Sequence, residues 1–193
     1  MSNAIPSGYQ LVRPEWLVAF QAQHEGQVAH DDEARAAVAI ALSALSIDNG
    51  GGPFGAAVFD HANGRLLSVG CNLVMPANCS LWHAEMVALL FAQHSLQRFD
   101  LGPLPLTLAT SCEPCVMCLG ATLWSGVARV VSAATDADAR AIGFDEGPKP
   151  ADWAGALRER GVEVVTEVKR AEAQRELQRY VATGGVIYNA HRQ

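Results

Sequence analysis

The chain contains no apolar run of about 18 residues, so nothing in it predicts a membrane-crossing helix. It also has no lysine- or arginine-rich run. Its 20 acidic residues outnumber its 14 basic ones, for a formal charge of −6. That balance argues against a nucleic-acid partner, which usually meets a basic stripe, and favours a small substrate. The N-terminus lacks the basic start, apolar middle and small-residue cleavage site of a secretory signal, so a cytoplasmic location is expected. Internal repeats and low-complexity segments are missing too. With half its residues hydrophobic and 18% charged, the chain is not of the disordered class. A length of 193 residues is enough to bury a core without covalent staples, and one domain over 1–193 is the expectation.

Cysteine is scarce as well, but it is concentrated. Three of the five cysteines, Cys112, Cys115 and Cys118, fall within seven residues; the others are Cys71 and Cys79. An odd number so crowded is a poor disulfide framework and suits a metal better. A structural zinc ribbon would need a second, separate Cys-x-x-Cys, which is absent. Cys112-x-x-Cys115 and Cys115-x-x-Cys118 share one spacing, so the pattern leaves open which pair is used. Cys71, Cys79 and Cys112 otherwise read as small core residues.

Residues 1–30 read as a mixed lead-in holding Pro6, Pro14, Trp16 and Phe20. Asp31 or Asp32 can cap a helix whose apolar positions are Ala34, Ala37, Val38, Ala41, Leu42 and Leu45, and the Asp48–Pro53 run ends it. Two strands are expected at 55–60 and 66–72, joined by a turn containing Asn63-Gly64. Then follow a helix from near His83 to Gln93 burying Met86, Leu89 and Leu90, and a strand at 104–110. A helix at 115–124, a strand at 129–134, a helix at 153–160, a strand at 162–167 and a helix at 171–183 complete the order. This alternation predicts a mixed sheet covered by helices on both faces.

The chemistry is concentrated in His83-Ala84-Glu85 and, about thirty residues on, Pro114-Cys115-Val116-Met117-Cys118. Cys115 and Cys118 are three apart, so a helical turn sets both sulfurs on one face. Pro114 suits the helix start, and the helix N-terminus stabilises thiolates. His83 can supply a third ligand, leaving one place for water, and Glu85 can move that water's protons. His83 and Glu85 share a target only if the histidine sits at the very start of its helix. Taken alone, Cys115-x-x-Cys118 also fits a redox dithiol, and a non-catalytic zinc module is a further alternative. Glu113 reads as a helix cap. His24, His30, His61, His94 and His191 have no partner spacing and read as surface or locally bonded residues.

The His-x-Glu and Pro-Cys-x-x-Cys halves together resemble the cytidine and deoxycytidylate deaminase superfamily. The likeness is greatest to its bacterial guanine deaminase branch. Gly51-Gly52-Pro53-Phe54-Gly55-Ala56, Cys71-Asn72, Gly143-Phe144-Asp145-Glu146-Gly147 and Gly185-Val186-Ile187-Tyr188-Asn189 carry it over roughly residues 48–189. The resemblance implies a three-layer α/β/α fold with a five-stranded mixed sheet and one zinc ion per chain, held by His83, Cys115 and Cys118. It also implies hydrolysis of guanine to xanthine and ammonia, with Glu85 as general acid/base. Cytosine, a nucleoside or an aminotriazine such as ammeline is the alternative substrate. By the same likeness Asn72 and Phe54 bind the base, and Asp145-Glu146 supplies a second acidic residue, with Glu146 favoured. The resemblance further implies a homodimer in which the segment 171–193 can cross between subunits and bring Tyr188 to the site. The long lead-in and Pro148-Lys149-Pro150 depart from the family pattern.

Overall fold

The computed structural model describes residues 12–189, so Pro6 and His191 lie outside the described residues. In chain order these form α1 (Glu15–Gln23), α2 (Asp32–Asp48), β1 (Gly55–Asp60), β2 (Leu66–Cys71), α3 (Val74–Ala77), α4 (Ala84–Leu96), β3 (Leu106–Cys112) and α5 (Val116–Ser125). There follow β4 (Arg129–Ala134), α6 (Asp136–Ala141), α7 (Trp153–Arg158), β5 (Glu163–Val165) and α8 (Arg170–Ala182). The five strands lie in the order β2-β1-β3-β4-β5. β1 runs antiparallel to β2 and β3, while β3–β4 and β4–β5 are parallel.

Both sheet faces are covered, so β3 and β4 are buried along their whole length. Alternate side chains of β1 separate two cores. Ala57 and Phe59 pack with Leu17, Ala36, Ala39 and Leu42 of α1 and α2. Ala56 and Val58 pack with Ala84, Ala88, Leu89 and Ala92 of α4. On the same two sides, α8 adds Ala173 and Leu177 near Ala133, and α5 and α7 add Leu119 and Leu157 against Val130. The result is the three-layer α/β/α fold expected from the family resemblance.

Local chemistry explains several element boundaries. The Asp31 side chain accepts a hydrogen bond from the Ala34 N–H at 2.8 Å, capping α2. The hairpin turn is closed by Asp60, whose Oδ1 accepts from the Ala62 and Asn63 N–H groups. Gly64 there has φ +70°, which a side chain would disfavour.

Three sequence expectations need correction. The buried face of α2 is Arg35, Ala36, Ala39, Ile40, Leu42, Ser43 and Ser46, rotated from the apolar stripe. Polar residues fit that face because Ser43 donates to the Pro53 carbonyl and Ser46 to that of Asn72. On α4, Met86 is half-buried and Leu90 exposed, while Val87 and Ala88 are buried. Small residues win there because the helix lies tightly on β2. Finally, the lead-in contains α1 with Leu17 fully buried, and two short helices, α3 and α6, were not expected. Of these, α6 carries a capping box between Thr135 and Asp138.

Strand direction positions the site. β2 and β3 are both antiparallel to β1 and β4 is parallel to β3, so these three end on one edge of the sheet. The segments that follow, starting at Asn72, Glu113 and Thr135, therefore emerge side by side, where ligands bind in open α/β sheets. Close contact of α4 with β2 depends on Gly70, where a methyl group would meet the Ala84 carbonyl and Ala88 N–H. Gly70→Ala should destabilise the protein by about 1–3 kcal/mol. Urea unfolding measures this, and an unchanged midpoint would show that α4 can shift freely on the sheet.

Candidate metal centre and active site

His83 sits at the N-cap of α4 with extended backbone (φ −69°, ψ 155°), and the helix proper starts at Ala84. This meets the condition that the sequence left open. The imidazole is free of the helical face, and Glu85 follows it into the first turn. Cys115 is likewise the N-cap of α5 (φ −66°, ψ 174°), with Cys118 buried one turn in. Pro114 therefore lies one residue before the cap rather than at the first helical position. Its missing N–H is still harmless there.

The two helix starts meet. His83 Nδ1 is 3.4 Å from Cys115 Sγ and 3.6 Å from Cys118 Sγ. The three donor atoms all lie within 4.8 Å of one another. Ligands about 2.0–2.3 Å from a tetrahedral zinc ion stand roughly 3.4–3.8 Å apart, so this donor set fits the metal. Cys112 takes no part: it ends β3, and its thiol points to the Thr135 carbonyl at 3.5 Å. Burial raises it well above the ordinary thiol range. The ambiguity between the two Cys-x-x-Cys pairs is thereby removed, and the third donor goes beyond what a redox dithiol requires.

Charge is crowded around this point. A hydrogen bond from Cys118 lowers the Cys115 thiol to about 4, and Cys118, which keeps the proton, is raised by that bond and by burial. Burial pulls His83 down, but its bond to Cys115 and the negative charges nearby raise it overall. Burial, then the Cys115 charge, pushes Glu85 up. Burial raises Glu146 to about 8, helped by the charges of Cys115 and Glu85. Such an accumulation of buried anionic groups calls for a cation.

His83, Glu85 and Cys115 line a cavity of about 620 Å³ together with Phe54, Phe144, Asp145, Glu146 and Tyr188. Met75, Asn78, Cys79 and Ser80 form another wall, which no sequence signal marked. Glu146 is buried, whereas the Asp145 side chain turns to Arg140 at 3.5 Å and to the Gly147 N–H at 3.0 Å. Glu113 lines the cavity too, but it caps α6 rather than α5, accepting from the Asp136 N–H at 2.9 Å. Elsewhere, His24 and His61 have local partners, Phe20 O and Thr107 Oγ1.

Asn72 is buried and is not among the residues that line the cavity. Its N–H donates to the Phe54 carbonyl at 3.0 Å, and its Oδ1 accepts from the Val74 N–H at 3.3 Å. The buried Tyr188 hydroxyl faces the Asn72 side chain across Gly52 without a well-formed hydrogen bond. Phe144 joins the aromatic wall: its ring centroid is 5.0 Å from that of Phe54 and 5.1 Å from that of Tyr188, both edge-on. The sequence marks the 143–147 segment for its acidic residues, and the Phe144 ring is an addition to it. Tyr188 thus lies in its own chain's site, and Asn189 fixes the tail by bonding the Asp145 N–H and the Gly143 carbonyl.

A metal-ready His-Cys-Cys centre with an adjoining buried glutamate, on the carboxyl edge of a mixed α/β/α sheet, defines a zinc-dependent hydrolase. The profile of the cytidine and deoxycytidylate deaminase zinc-binding region matches residues 29–134. The chain belongs to that family, whose members hydrolyse C–N bonds. It is similar to the guanine deaminase of Bacillus subtilis (strain 168), with 38% identity over 109 residues, 56% of this chain and 67% of that one. Among solved structures, it matches the guanine deaminase of Nitrosomonas europaea with a TM-score of 0.87 and 42% identity, covering 93% of this chain and all of the other. NE0047 in complex with 2,6-diaminopurine matches with a TM-score of 0.87 and 45% identity over 95% and 97% of the two chains.

The raised Glu146 has a measurable consequence. The folded protein holds this proton up to about pH 8, whereas the unfolded chain releases it near the ordinary value of 4.5. Stability therefore falls as pH rises between these values and levels off above them. In chelator-treated protein, Glu146→Gln should gain stability relative to the parent from pH 5 to 8, on the order of a few kcal/mol. Urea midpoints at each pH test this, and a constant difference would contradict it.

Proposed function

We propose that the protein converts guanine and water to xanthine and ammonia. The observation that carries this reading is the second buried carboxylate, Glu146, in the same cavity as His83, Glu85 and Cys115. Guanine presents ring N–H and amine groups at the carbon to be attacked, so a second carboxylate is useful both as acceptor and as proton carrier. Relatives 42–45% identical to this chain have been seen with 2,6-diaminopurine and 8-azaguanine, which share the aminated ring pattern of guanine.

His83, Cys115 and Cys118 would hold the zinc ion, which would supply a Lewis acid that lowers the pKa of water toward about 7. Glu85 takes the first proton of the attacking water and returns it to the ring nitrogen beside C2. As the water oxygen bonds to C2, Glu146 holds the base through its N–H groups. The water's second proton passes by way of the carboxylates to the exocyclic amine. The C–N bond then breaks, ammonia leaves, and the oxygen remains as the new carbonyl. Glu146 fits the second role better than Asp145, which is engaged with Arg140 and the Gly147 N–H.

Phe54 and Phe144 offer ring edges and faces that exclude water around a planar base, and Asn72 offers a buried amide beside Tyr188. Tyr188, which lines the same cavity, would cover the base. We infer a homodimer, in which the tail beyond Gly184 (φ +80°) can take on the partner subunit the same place that it takes here on its own chain. The five free cysteines fit a reducing cytoplasm.

An ammonia-release screen over guanine, cytosine, adenine, their nucleosides and aminotriazines tests the substrate. Guanine should have the highest kcat/KM; a preference for cytosine or a nucleoside would reject the reading. In the same assay Glu85→Gln should keep about one zinc per chain while kcat falls roughly 10²–10⁴-fold. Unchanged turnover would remove Glu85 from the mechanism.

A further inference from the structure

One buried charge beside the site takes no part in the chemistry of the reaction. Lys149 lies in the Pro148-Lys149-Pro150 run, and its side chain is only 6% exposed. An ammonium has three donors and no acceptor. Here three oxygens surround it: Asp136 Oδ1 at 3.2 Å, Glu113 Oε2 at 3.4 Å and the Pro114 carbonyl at 3.2 Å. The Trp153 ring centroid, 5.4 Å away, closes its remaining side.

The partners belong to three separate pieces of chain. Glu113 and Pro114 form the turn from β3 to the metal-ligand helix. Asp136 starts α6, where its N–H also donates to Glu113. Lys149 itself closes the segment that carries Glu146, turned at Gly147 (φ +73°) by a bond from the Lys149 N–H to the Gly147 carbonyl at 3.1 Å. The same segment grips the ligand turn a second time, because the Glu146 carbonyl accepts from the Val116 N–H at 3.0 Å. Cys115 is thus bracketed: Lys149 holds the residue before it and the Glu146 backbone the residue after it.

We infer that Lys149 is a positioning residue, which fixes the Glu146 carboxyl relative to the Cys115 end of the metal centre. Surface burial alone would call for a hydrophobic side chain in this place. A cation bonded to the carbonyl next to a metal ligand, three residues from the second carboxylate, instead makes the two halves of the site one rigid unit. Without the ammonium, the 145–149 segment keeps its bonds to Arg140 and Asn189, but its only tie to the ligand turn is the Glu146 backbone contact to α5, and the Glu146 carboxyl is no longer fixed relative to Cys115.

This inference rests on the role proposed for Glu146, and a double-mutant cycle separates the two. Lys149→Met, Glu146→Gln and the double variant are compared for guanine kcat, KM and zinc content. Lys149→Met should lower kcat/KM at least tenfold, with about one zinc per chain retained, and divide the loss between kcat and KM as Glu146→Gln does. Adding it to Glu146→Gln should cost less than about twofold. Losses that multiply, or loss of zinc from Lys149→Met, would overturn the inference while leaving Glu146 in place. If Glu146→Gln alone leaves guanine turnover intact, it is the proposed role of Glu146 that fails. Should Lys149→Met not fold, Lys149→Met/Asp136→Asn removes one stranded carboxylate and enters the same cycle, where sub-additive losses again support the inference and multiplying losses overturn it.

Discussion

Two helices begin at one point, and the rest of the site follows from that meeting. The N-caps of α4 and α5 are themselves metal donors, His83 and Cys115. A cap residue has extended backbone, so its side chain is not bound to the helical face. This freedom lets His83 turn to the two sulfurs while Glu85, two residues later, enters the same cavity. The sheet fixes where the helix starts can meet, since β2 and β3 end on the same edge. Gly70 and the small residues of α4 then bring that helix close enough.

Electrostatics makes the arrangement conditional on a cation. Cys115, Glu85 and Glu146 are buried close to one another; beside burial, the Cys115 charge disfavours ionisation of both carboxyl groups, and the Glu85 charge that of Glu146. A divalent ion on the two sulfurs and the imidazole would relieve this, and leave the two carboxyl groups for the separate tasks proposed for them. Glu85 is placed by the helix that follows a ligand, whereas Glu146 is placed by a loop. Loops need their own anchors, and this one has several: Arg140 on the Gly147 carbonyl, Asn189 on the Asp145 N–H, and Lys149 on the ligand turn. The precision of the second carboxyl group is therefore a property of the loop network.

Much of this was visible in the sequence, for identifiable reasons. His83, Glu85, Cys115 and Cys118 could be picked out because metal chemistry restricts residue type and spacing together. The hairpin at Asn63-Gly64 and the stop of α2 were readable because turns restrict φ locally. Helix faces were less legible: Ser43 and Ser46 are buried because distant carbonyls of Pro53 and Asn72 satisfy them, and no local window contains those partners. Phe144 and Lys149 escaped for the same reason. Their roles exist only once the 143–149 loop lies against Phe54, Tyr188 and the turn at Glu113-Pro114.

The central claim is that one zinc ion binds to two sulfurs and one imidazole, with a place left for water beside Glu85. X-ray absorption at the zinc edge of the purified protein tests it most directly. Two sulfur neighbours at about 2.3 Å, one imidazole nitrogen at about 2.0–2.1 Å and one further light neighbour not supplied by the chain are expected. Cys112→Ser should leave that spectrum unchanged. A third sulfur, or four ligands all drawn from the protein, would mean a site closed to water and unable to hydrolyse.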